Sequence, residues 1–207
     1  MTHLQNIPHI LQYGITHRSS TNANPDFVPI GDASLISTRA SKTVYIDNGI
    51  HLNAGAEIEL GDYIPFYFWV KMPMLLVIQN GGNFVPYPTS PENIIYLVCS
   101  VIDISQSGNI YYFSDGHATD RLSSFFDQTK LNDLPKIVDF DAVKSSYWGG
   151  HENLNVKRKK QAEFLVKYDI SPELIIGFGC YNEQAKNKLL NFGIANDKIK
   201  IIPQGYF

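Results

Sequence analysis

A single carboxylate, Glu163, follows a run of four cations in the segment KRKKQAEFLV, residues 157–166. The apolar and aromatic residues of this segment predict a β-strand that carries Gln161 and Glu163 on one face and Phe164 on the other. If Phe164 packs into the core, Glu163 lies on the opposite surface, beside a basic loop. A carboxylate placed there can stabilise a cationic transition state next to a polyanionic substrate. A surface glutamate neutralised by its lysine neighbours is the alternative.

The cations of this segment form a local patch in a chain whose formal net charge is −3 at pH 7. Between Trp148 and Ala162 they are opposed by one acid, Glu152. Proteins that coat nucleic acid permanently usually carry a clear basic excess, so the composition argues against that class. The patch itself is consistent with local phosphate contacts or with a solvated basic turn.

The composition predicts one folded domain over residues 1–207. Hydrophobic residues make up 44% and aromatic residues 13%, which is typical of globular chains of this length. No apolar run approaches the roughly 20 residues of a membrane helix, and the N-terminus has no signal-peptide pattern. Cys99 and Cys180 lie far apart in apolar segments, so we expect buried thiols and a cytoplasmic location. The six histidines include no HxxxH pair, so no metal site is expected.

The pattern of elements predicts an α+β fold, because short helices and strands are mixed without a regular βαβ rhythm. Strands are predicted at residues 61–70, 93–104, 110–118, 161–170, 174–181 and 198–207. Helices are predicted at residues 7–14, 32–41, 73–81, 120–126, 141–148 and 182–193. The segments THRSSTNANPDFVPIGD, residues 16–32, and WGGHENLNVKRKK, residues 148–160, are predicted to be long loops.

Stretches along nearly the whole chain are similar to one protein family. In chain order they are THLQNIPHILQYGI, IGDASLISTRA, DYIPFYFWVKMPML, FSDGHA, KRKKQAEFLV and the terminal GYF. They resemble the DarT family of bacterial toxins, which are NAD-dependent ADP-ribosyltransferases that modify bases in single-stranded DNA. The resemblance implies an ADP-ribosyltransferase-like fold, a central split β-sheet flanked by short helices. It also implies that NAD is consumed as a co-substrate, and that a macrodomain antitoxin similar to DarG removes the modification.

The resemblance assigns the chemistry to two side chains. Glu163 matches the family's catalytic glutamate, which would stabilise an oxocarbenium-like transition state and help to remove a proton from the attacking base. Arg39 matches an essential arginine that holds the pyrophosphate or stabilises charge near that base; an exposed helix arginine is the alternative. The NAD contacts that the resemblance implies come from Thr2, His3, Gly14 and Arg39. Family members usually have a further His or Arg ahead of this region, and an upstream start, a trimmed chain or another nicotinamide grip would each account for the difference.

The resemblance also implies a cleft for nucleic acid. Aromatic faces stack on bases of any sequence, and a duplex would hide those bases, so single strands are the expected substrate. The residues implied in this role are Tyr67, Met74, His117, Lys157, Arg158, Lys160 and Gln161. Gln161 would orient the acceptor and the cations would contact phosphates. Core packing for Tyr67 and Met74, and a hydrogen-bonded turn for His117, remain the structural alternatives.

Three functions stay open from the sequence. The first is transfer of ADP-ribose to a base of single-stranded DNA, with thymine favoured over guanine, by a monomeric bacterial toxin. The second keeps the NAD chemistry but has RNA or protein as the acceptor. The third is a nucleic-acid-binding module without catalysis, although the presence of both Glu163 and Arg39 speaks against it.

Overall fold

The computed structural model describes residues 1–50, 55–82, 84–85 and 87–207. Its strands are β1 (Thr2–His3), β2 (Thr43–Ile46), β3 (Ala56–Glu59), β4 (Tyr63–Tyr67), β5 (Ile94–Cys99), β6 (Tyr111–Ser114), β7 (Phe125–Phe126), β8 (Glu163–Lys167), β9 (Ile175–Cys180) and β10 (Ile199–Ile201). Its α-helices are α1 (Ile7–Tyr13), α2 (Ala33–Ala40), α3 (Pro73–Asn80), α4 (Val101–Gln106), α5 (Leu134–Ile137), α6 (Phe140–Lys144), α7 (Leu154–Lys160) and α8 (Glu183–Asn191). This mixture of short elements confirms the predicted α+β class.

Contacts within the chain divide it into two compact units. The first unit contains Met1–Ser34, Met74–Gly108 and Tyr168–Phe207, and the second contains Leu35–Pro73 and Asn109–Lys167. The single domain that the sequence predicts for residues 1–207 stays a prediction. Within the described ranges, no helix combines the length and the apolar character that crossing a membrane would require.

The first unit is built on a four-stranded sheet in the order β1-β5-β9-β10. β5 pairs antiparallel with β1 and β9, whereas β9 and β10 run parallel. Helices α1 and α8 contribute Ile7, Ile10 and Leu189 to a core that also holds Ile95 and Phe178. The apolar positions of these helices recur three to four residues apart, which is the spacing that places them on one helix face.

Gly14 ends α1 in a backbone conformation that only glycine adopts readily. Its φ is +80° and its ψ is −163°. An ideal Cβ at this position would lie 1.9 Å from the carbonyl oxygen of Ile170. The next residue, Ile15, exchanges two backbone hydrogen bonds of 2.9 Å with Ile170. Gly14 therefore lets the chain pass directly against the backbone near Ile170.

The segment 16–32 contains no helix or strand, as the sequence predicts, but it is fastened to the first unit. Asp169 accepts a hydrogen bond from the backbone of His17 at 2.7 Å and another from the hydroxyl of Ser20 at 2.6 Å. Further along, the Asn6 side chain exchanges hydrogen bonds with the backbone of Val28 at 2.9 and 2.8 Å. Side chains outside the loop thus satisfy its backbone groups, in the way that long ordered loops require.

The second unit contains an antiparallel sheet in the order β4-β8-β6-β7 and a separate β2-β3 pair. β8 is central, with Glu163 opposite Tyr67 of β4 and Phe164 opposite Phe113 of β6. Both faces of β8 are covered, because Glu163, Phe164 and Leu165 are each at most 1% exposed. The expectation that Glu163 lies on the surface is therefore wrong. An alternating strand has one solvent face only when nothing covers that face.

Three predicted segments differ from the structure. The strand predicted at 93–104 ends after β5, because the Ser100 hydroxyl accepts the N–H of Asp103 at 3.2 Å and caps α4. The helix predicted at 120–126 is a turn followed by β7. The loop predicted at 148–160 becomes helical in its second half, as α7. The remaining predicted helices and strands each overlap with an observed element of the same type.

Gly14→Ala should destabilise the protein more than a glycine substitution at an equally positive φ in open space. Gly193 provides that comparison, since its φ is +89° and a Cβ there meets no atom within 4 Å. We expect Gly193→Ala to lower the free energy of unfolding by about 1 kcal/mol, the cost of the left-handed backbone alone. Gly14→Ala should cost at least about 2–3 kcal/mol, because it adds a collision with backbone. Urea unfolding followed by circular dichroism measures both, and equal losses would contradict the steric argument.

Candidate active site

Glu163 begins β8 and is held there through its backbone. Its N–H donates to the hydroxyl of Ser114 at 3.1 Å, and the same hydroxyl donates to the carbonyl of Gly116 at 2.6 Å. Ser114 ends β6, so one side chain ties Glu163 to the turn that follows the neighbouring strand. On its other side, Glu163 pairs with Tyr67 at the end of β4. The carboxylate position is therefore set by the sheet and by the turn after β6.

The buried carboxylate of Glu163 has two partners. Nη1 of Arg39 donates to Oε2 at 2.8 Å and to Oε1 at 3.1 Å. The backbone N–H of Ala118 donates to Oε1 at 3.2 Å. A carboxylate removed from water needs such partners, because an unpaired buried charge costs several kcal/mol. Arg39 comes from α2, with its side chain 14% exposed, so two segments of the second unit, α2 and the turn after β6, converge on this one side chain.

Two further polar atoms near this pair are buried and have no hydrogen-bond partner within the described residues: Nη2 of Arg39 and Nε2 of His117. The other imidazole nitrogen of His117, Nδ1, is 3.0 Å from the hydroxyl of Thr119, which fixes the ring. Buried polar atoms are nearly always satisfied, so exceptions indicate a functional role. Both atoms are suited to bind polar groups of a ligand beside Glu163.

The surroundings of Glu163 shift the titration of two neighbours. Burial lowers the pKa of His117, and the positive charges of Arg39 and Lys157 lower it further, against the opposing effect of Glu163. Burial raises the pKa of Tyr67 well above its ordinary value, and the Glu163 charge adds to that rise. A neutral imidazole and a protonated phenol therefore accompany the ion pair. Both can donate or accept hydrogen bonds without adding net charge.

The structure brings four of the predicted site residues together in the second unit: Glu163, Arg39, Tyr67 and His117. Four others, Thr2, His3, Gly14 and Met74, belong to the first unit. Thr2 is buried and its hydroxyl accepts a hydrogen bond from Asn6 at 3.0 Å. His3 accepts the N–H of Gln5 at 3.2 Å, and burial and Lys188 lower its pKa. Their contacts with NAD or DNA stay predictions.

The basic segment is not the exposed patch that the sequence predicts. Of its four cations, only Lys157 is exposed. Arg158 is 8% exposed and pairs with Asp115, with Nη1 2.9 Å from Oδ1. Lys160 is 1% exposed, and its ammonium donates to the carbonyl of Val143 at 2.8 Å. The expectation of an exposed side chain is wrong for Arg158 and Lys160, because α7 turns both inward, where each finds a protein partner. The contacts of these cations with DNA stay predictions.

Gln161 also differs from its predicted position. It caps the C-terminus of α7 with φ −97° and ψ 23°, so it precedes the strand and does not share a strand face with Glu163. Its side-chain amide donates to the carbonyl of Lys157 at 3.1 Å. Its role in orienting an acceptor stays a prediction.

Sequence analysis missed two contributors to the site, Ser114 and the backbone N–H of Ala118. Both lie within the quoted motif FSDGHA, residues 113–118, so the motif marked the right place. A backbone donor carries no residue-type signal, and only the geometry of the turn reveals it. Across the described residues, no group of three His, Cys, Asp or Glu side chains could hold a metal ion.

Known proteins resemble this chain in sequence and in fold. A family model described as "DarT: ssDNA thymidine ADP-ribosyltransferase, DarT" matches residues 1–207. A DNA ADP-ribosyl transferase of Thermus aquaticus is 33% identical over 183 residues, which is 86% of this chain and 72% of the relative. A DNA ADP-ribosyl transferase-DNA ADP-ribosyl glycohydrolase fusion protein of Thermosipho africanus is 24% identical over 208 residues, 100% of this chain and 48% of the relative.

Solved structures of a Thermus sp. 2.9 protein also share the fold. Its complex with ADP-ribosylated single-stranded DNA matches with a TM-score of 0.82 and 27% identity, covering 100% of this chain and 93% of that chain. Its complex with NAD+ matches with a TM-score of 0.76 and 27% identity, covering 100% and 94%.

Protonation of His117 should cost folding stability. Because burial lowers its pKa in the folded state, the unfolded chain binds more protons once the pH falls to about 6.5, the ordinary histidine value, or below. The free energy of unfolding should therefore decrease as the pH drops from about 7.5 to about 5.5. In His117→Gln this decrease should be smaller. Urea titrations of both proteins at fixed ionic strength measure it, and an identical decrease would contradict the burial of the imidazole.

Proposed function

The chain belongs to the DarT family of single-stranded DNA thymidine ADP-ribosyltransferases, and we propose that it transfers ADP-ribose from NAD to a thymine base of single-stranded DNA. Nicotinamide is released and NAD is consumed. One observation carries the assignment of the chemistry to this chain: the buried Glu163 carboxylate is fixed by Arg39 and by the Ala118 N–H, beside a neutral His117.

The reaction breaks the bond between the ribose C1′ and the nicotinamide nitrogen. Positive charge develops on the ribose as this bond lengthens, and it resembles the oxocarbenium ion of glycoside hydrolysis. A carboxylate that is already in place stabilises this charge without reorganisation. Glu163 meets that requirement because Arg39 and Ala118 hold both of its oxygens. We assign it the stabilisation of the transition state.

The new bond joins C1′ to a ring nitrogen of the base, and that nitrogen must lose its proton. In a thymine nucleoside the ring N–H is N3, which is on the edge used for base pairing. We assign the removal of this proton to the Glu163 carboxylate as well. Because pairing occupies N3, a duplex hides the acceptor and a single strand presents it.

Arg39 and His117 complete the ligand contacts in this proposal. One guanidinium nitrogen of Arg39 is committed to Glu163, while Nη2 is left to bind a charged group such as the NAD pyrophosphate. The buried Nε2 of His117 faces a polar group of the acceptor base. Tyr67, which stays protonated, supplies an aromatic face and a hydroxyl next to Glu163. Of the basic residues, Lys157 remains for a phosphate contact.

A partner that reverses the modification is part of the proposal. The Thermosipho africanus relative joins a transferase to a DNA ADP-ribosyl glycohydrolase in one protein, and the present chain corresponds to about half of it. We propose that a macrodomain antitoxin performs the reverse reaction and that this protein is the toxin of the pair. A monomeric state and a cytoplasmic location belong to the same proposal.

Transfer activity should depend on the charge of Glu163. With NAD and matched oligonucleotides, mass analysis should find one added ADP-ribose on single-stranded DNA and none on duplex DNA or RNA. Glu163→Gln keeps the side-chain shape, removes the charge and should slow transfer about 10²- to 10³-fold. Glu57→Gln, an exposed carboxylate on β3, is the matched control and should retain the rate. Transfer to RNA alone would move the acceptor to another class, and an unaffected Glu163→Gln would remove the proposed catalytic role.

NAD should stabilise the folded protein in the absence of DNA. A ligand that binds only the folded state at 100 times its Kd adds about 2.7 kcal/mol, which raises the Tm measurably. Arg39→Ala should abolish this rise because it removes both the ligand contact and the partner of Glu163. Differential scanning fluorimetry with NAD and with a single-stranded oligonucleotide measures both effects. Stabilisation by the oligonucleotide but not by NAD would instead identify a nucleic-acid-binding module without catalysis.

A further inference from the structure

The guanidinium of Arg158 donates hydrogen bonds to three other side chains of the protein, which leaves it little capacity to bind a phosphate. Nη1 donates to Oδ1 of Asp115 at 2.9 Å and to the hydroxyl of Ser123 at 3.1 Å, and Nη2 is 3.3 Å from Oδ2 of Asp115. Nε donates to Oδ1 of Asn155 at 3.1 Å. The side chain is 8% exposed. Each of its three nitrogens therefore donates to a protein acceptor, and Nη1 and Nη2 together hold Asp115 in the two-pronged geometry that arginine forms with a carboxylate.

The same residue also holds this turn through its backbone. The carbonyl of Arg158 accepts the N–H of His117 at 2.9 Å. Asp115, the partner of the fork, exchanges hydrogen bonds with the backbone of Ser124 at 2.9 and 3.2 Å. Ser123, the other partner, donates its hydroxyl to the carbonyl of His117 at 2.9 Å. The side chain of Arg158 thus binds Asp115 and Ser123 near the two ends of the segment 115–124, and its carbonyl binds the backbone of His117 between them.

Gly116 shows how closely the fork lies over this segment. An ideal Cβ at Gly116 would be 2.4 Å from Nη1 of Arg158 and 2.8 Å from the Ser123 hydroxyl. The absence of a side chain at this position is what lets the guanidinium reach both Asp115 and Ser123. The glycine of the motif SDGHA is therefore explained by its contact with Arg158.

The segment 115–124, which Arg158 holds, contributes two groups to the active site. They are the N–H of Ala118, which donates to Glu163 at 3.2 Å, and the imidazole of His117. We propose that Arg158 is a positioning residue, which holds the turn 115–118 so that these two groups face Glu163, and that it is not a phosphate-binding residue. The proposal rests on the transferase function proposed above. In this proposal Arg158 does not bind the substrate; it keeps the partners of the Glu163 carboxylate in position.

Arg158→Lys separates the two roles, because lysine keeps the charge and loses the fork. A positioning role predicts a fall in kcat of about 10- to 100-fold, the effect of small displacements at a reacting centre. The KM for the oligonucleotide and the slope of log(kcat/KM) against log salt should not change. Asp115→Asn, which adds no contact to DNA, should produce the same fall, and the double variant should be no slower than either single variant.

Lys157→Ala is the matched control, as the exposed cation on the same helix. It should raise the KM and reduce the salt slope by about one, the signature of a lost phosphate contact, while kcat at saturating DNA is retained. If Arg158→Lys behaves in this way, or lowers only the Tm, the proposal is overturned. If Arg158→Lys unfolds, Ser123→Ala is the substitute, because it removes the hydrogen bond between the Ser123 hydroxyl and Arg158. Ser123→Ala must then lower kcat for the proposal to stand.

Amide hydrogen exchange provides a result that does not depend on activity. In Arg158→Lys, exchange at the Ala118 and His117 amides should accelerate at least about tenfold, while amides of the α8 helix keep their rates. In Lys157→Ala all of these rates should stay at the wild-type values. A wild-type protein that transfers no ADP-ribose would refute the proposed function, whereas unchanged exchange at Ala118 would refute the positioning role even in an active enzyme.

Discussion

The burial of one carboxylate constrains most of the second unit. Glu163 is almost completely removed from water, and a lone ionised carboxylate in that setting would be strongly disfavoured. Its stability therefore depends on an arginine from α2 and on a backbone N–H from the turn after β6. The turn is held in place by the hydroxyl of Ser114 and by the contacts of Arg158 from α7. The charge that we propose to be catalytic and the local fold are thus maintained by the same interactions.

The cations of α7 illustrate how tertiary contacts can override a sequence pattern. Consecutive lysines and arginine normally indicate a solvated segment, and like charges three or four residues apart disfavour an isolated helix. Here Arg158 is neutralised by Asp115, Lys159 by Asp139, and Lys160 binds a carbonyl and lies 5.0 Å from the centre of the Trp148 ring. Burial and nearby Lys71 lower the pKa of Lys160. The segment is basic in composition, but three of its four cations bind acceptors of the protein itself.

Much of the architecture was accessible from the sequence, because residue types alone carry its signals. The helix predicted at residues 7–14 contains α1, and the strands predicted at 61–70, 161–170 and 174–181 contain β4, β8 and β9. Glu163 and Arg39 were identified through family resemblance, and the structure places them in contact. What could not be predicted depends on distant contacts. The covering of both faces of β8, the helical state of α7 and the Ala118 donor arise only when remote segments pack together.

The contact between Arg39 and Glu163 also has a consequence for the timing of biosynthesis. Arg39 and Glu163 are separated by 124 positions in the chain. The hydrogen bonds between β4 and β8 likewise cannot form until β8 has been synthesised. Contacts of such long range are slow to form and cannot begin until the later segment has left the ribosome. A nascent chain that ends before residue 163 therefore has the arginine but lacks the carboxylate. The ion pair can therefore form only after residue 163 has been synthesised, long after Arg39 has entered the growing chain.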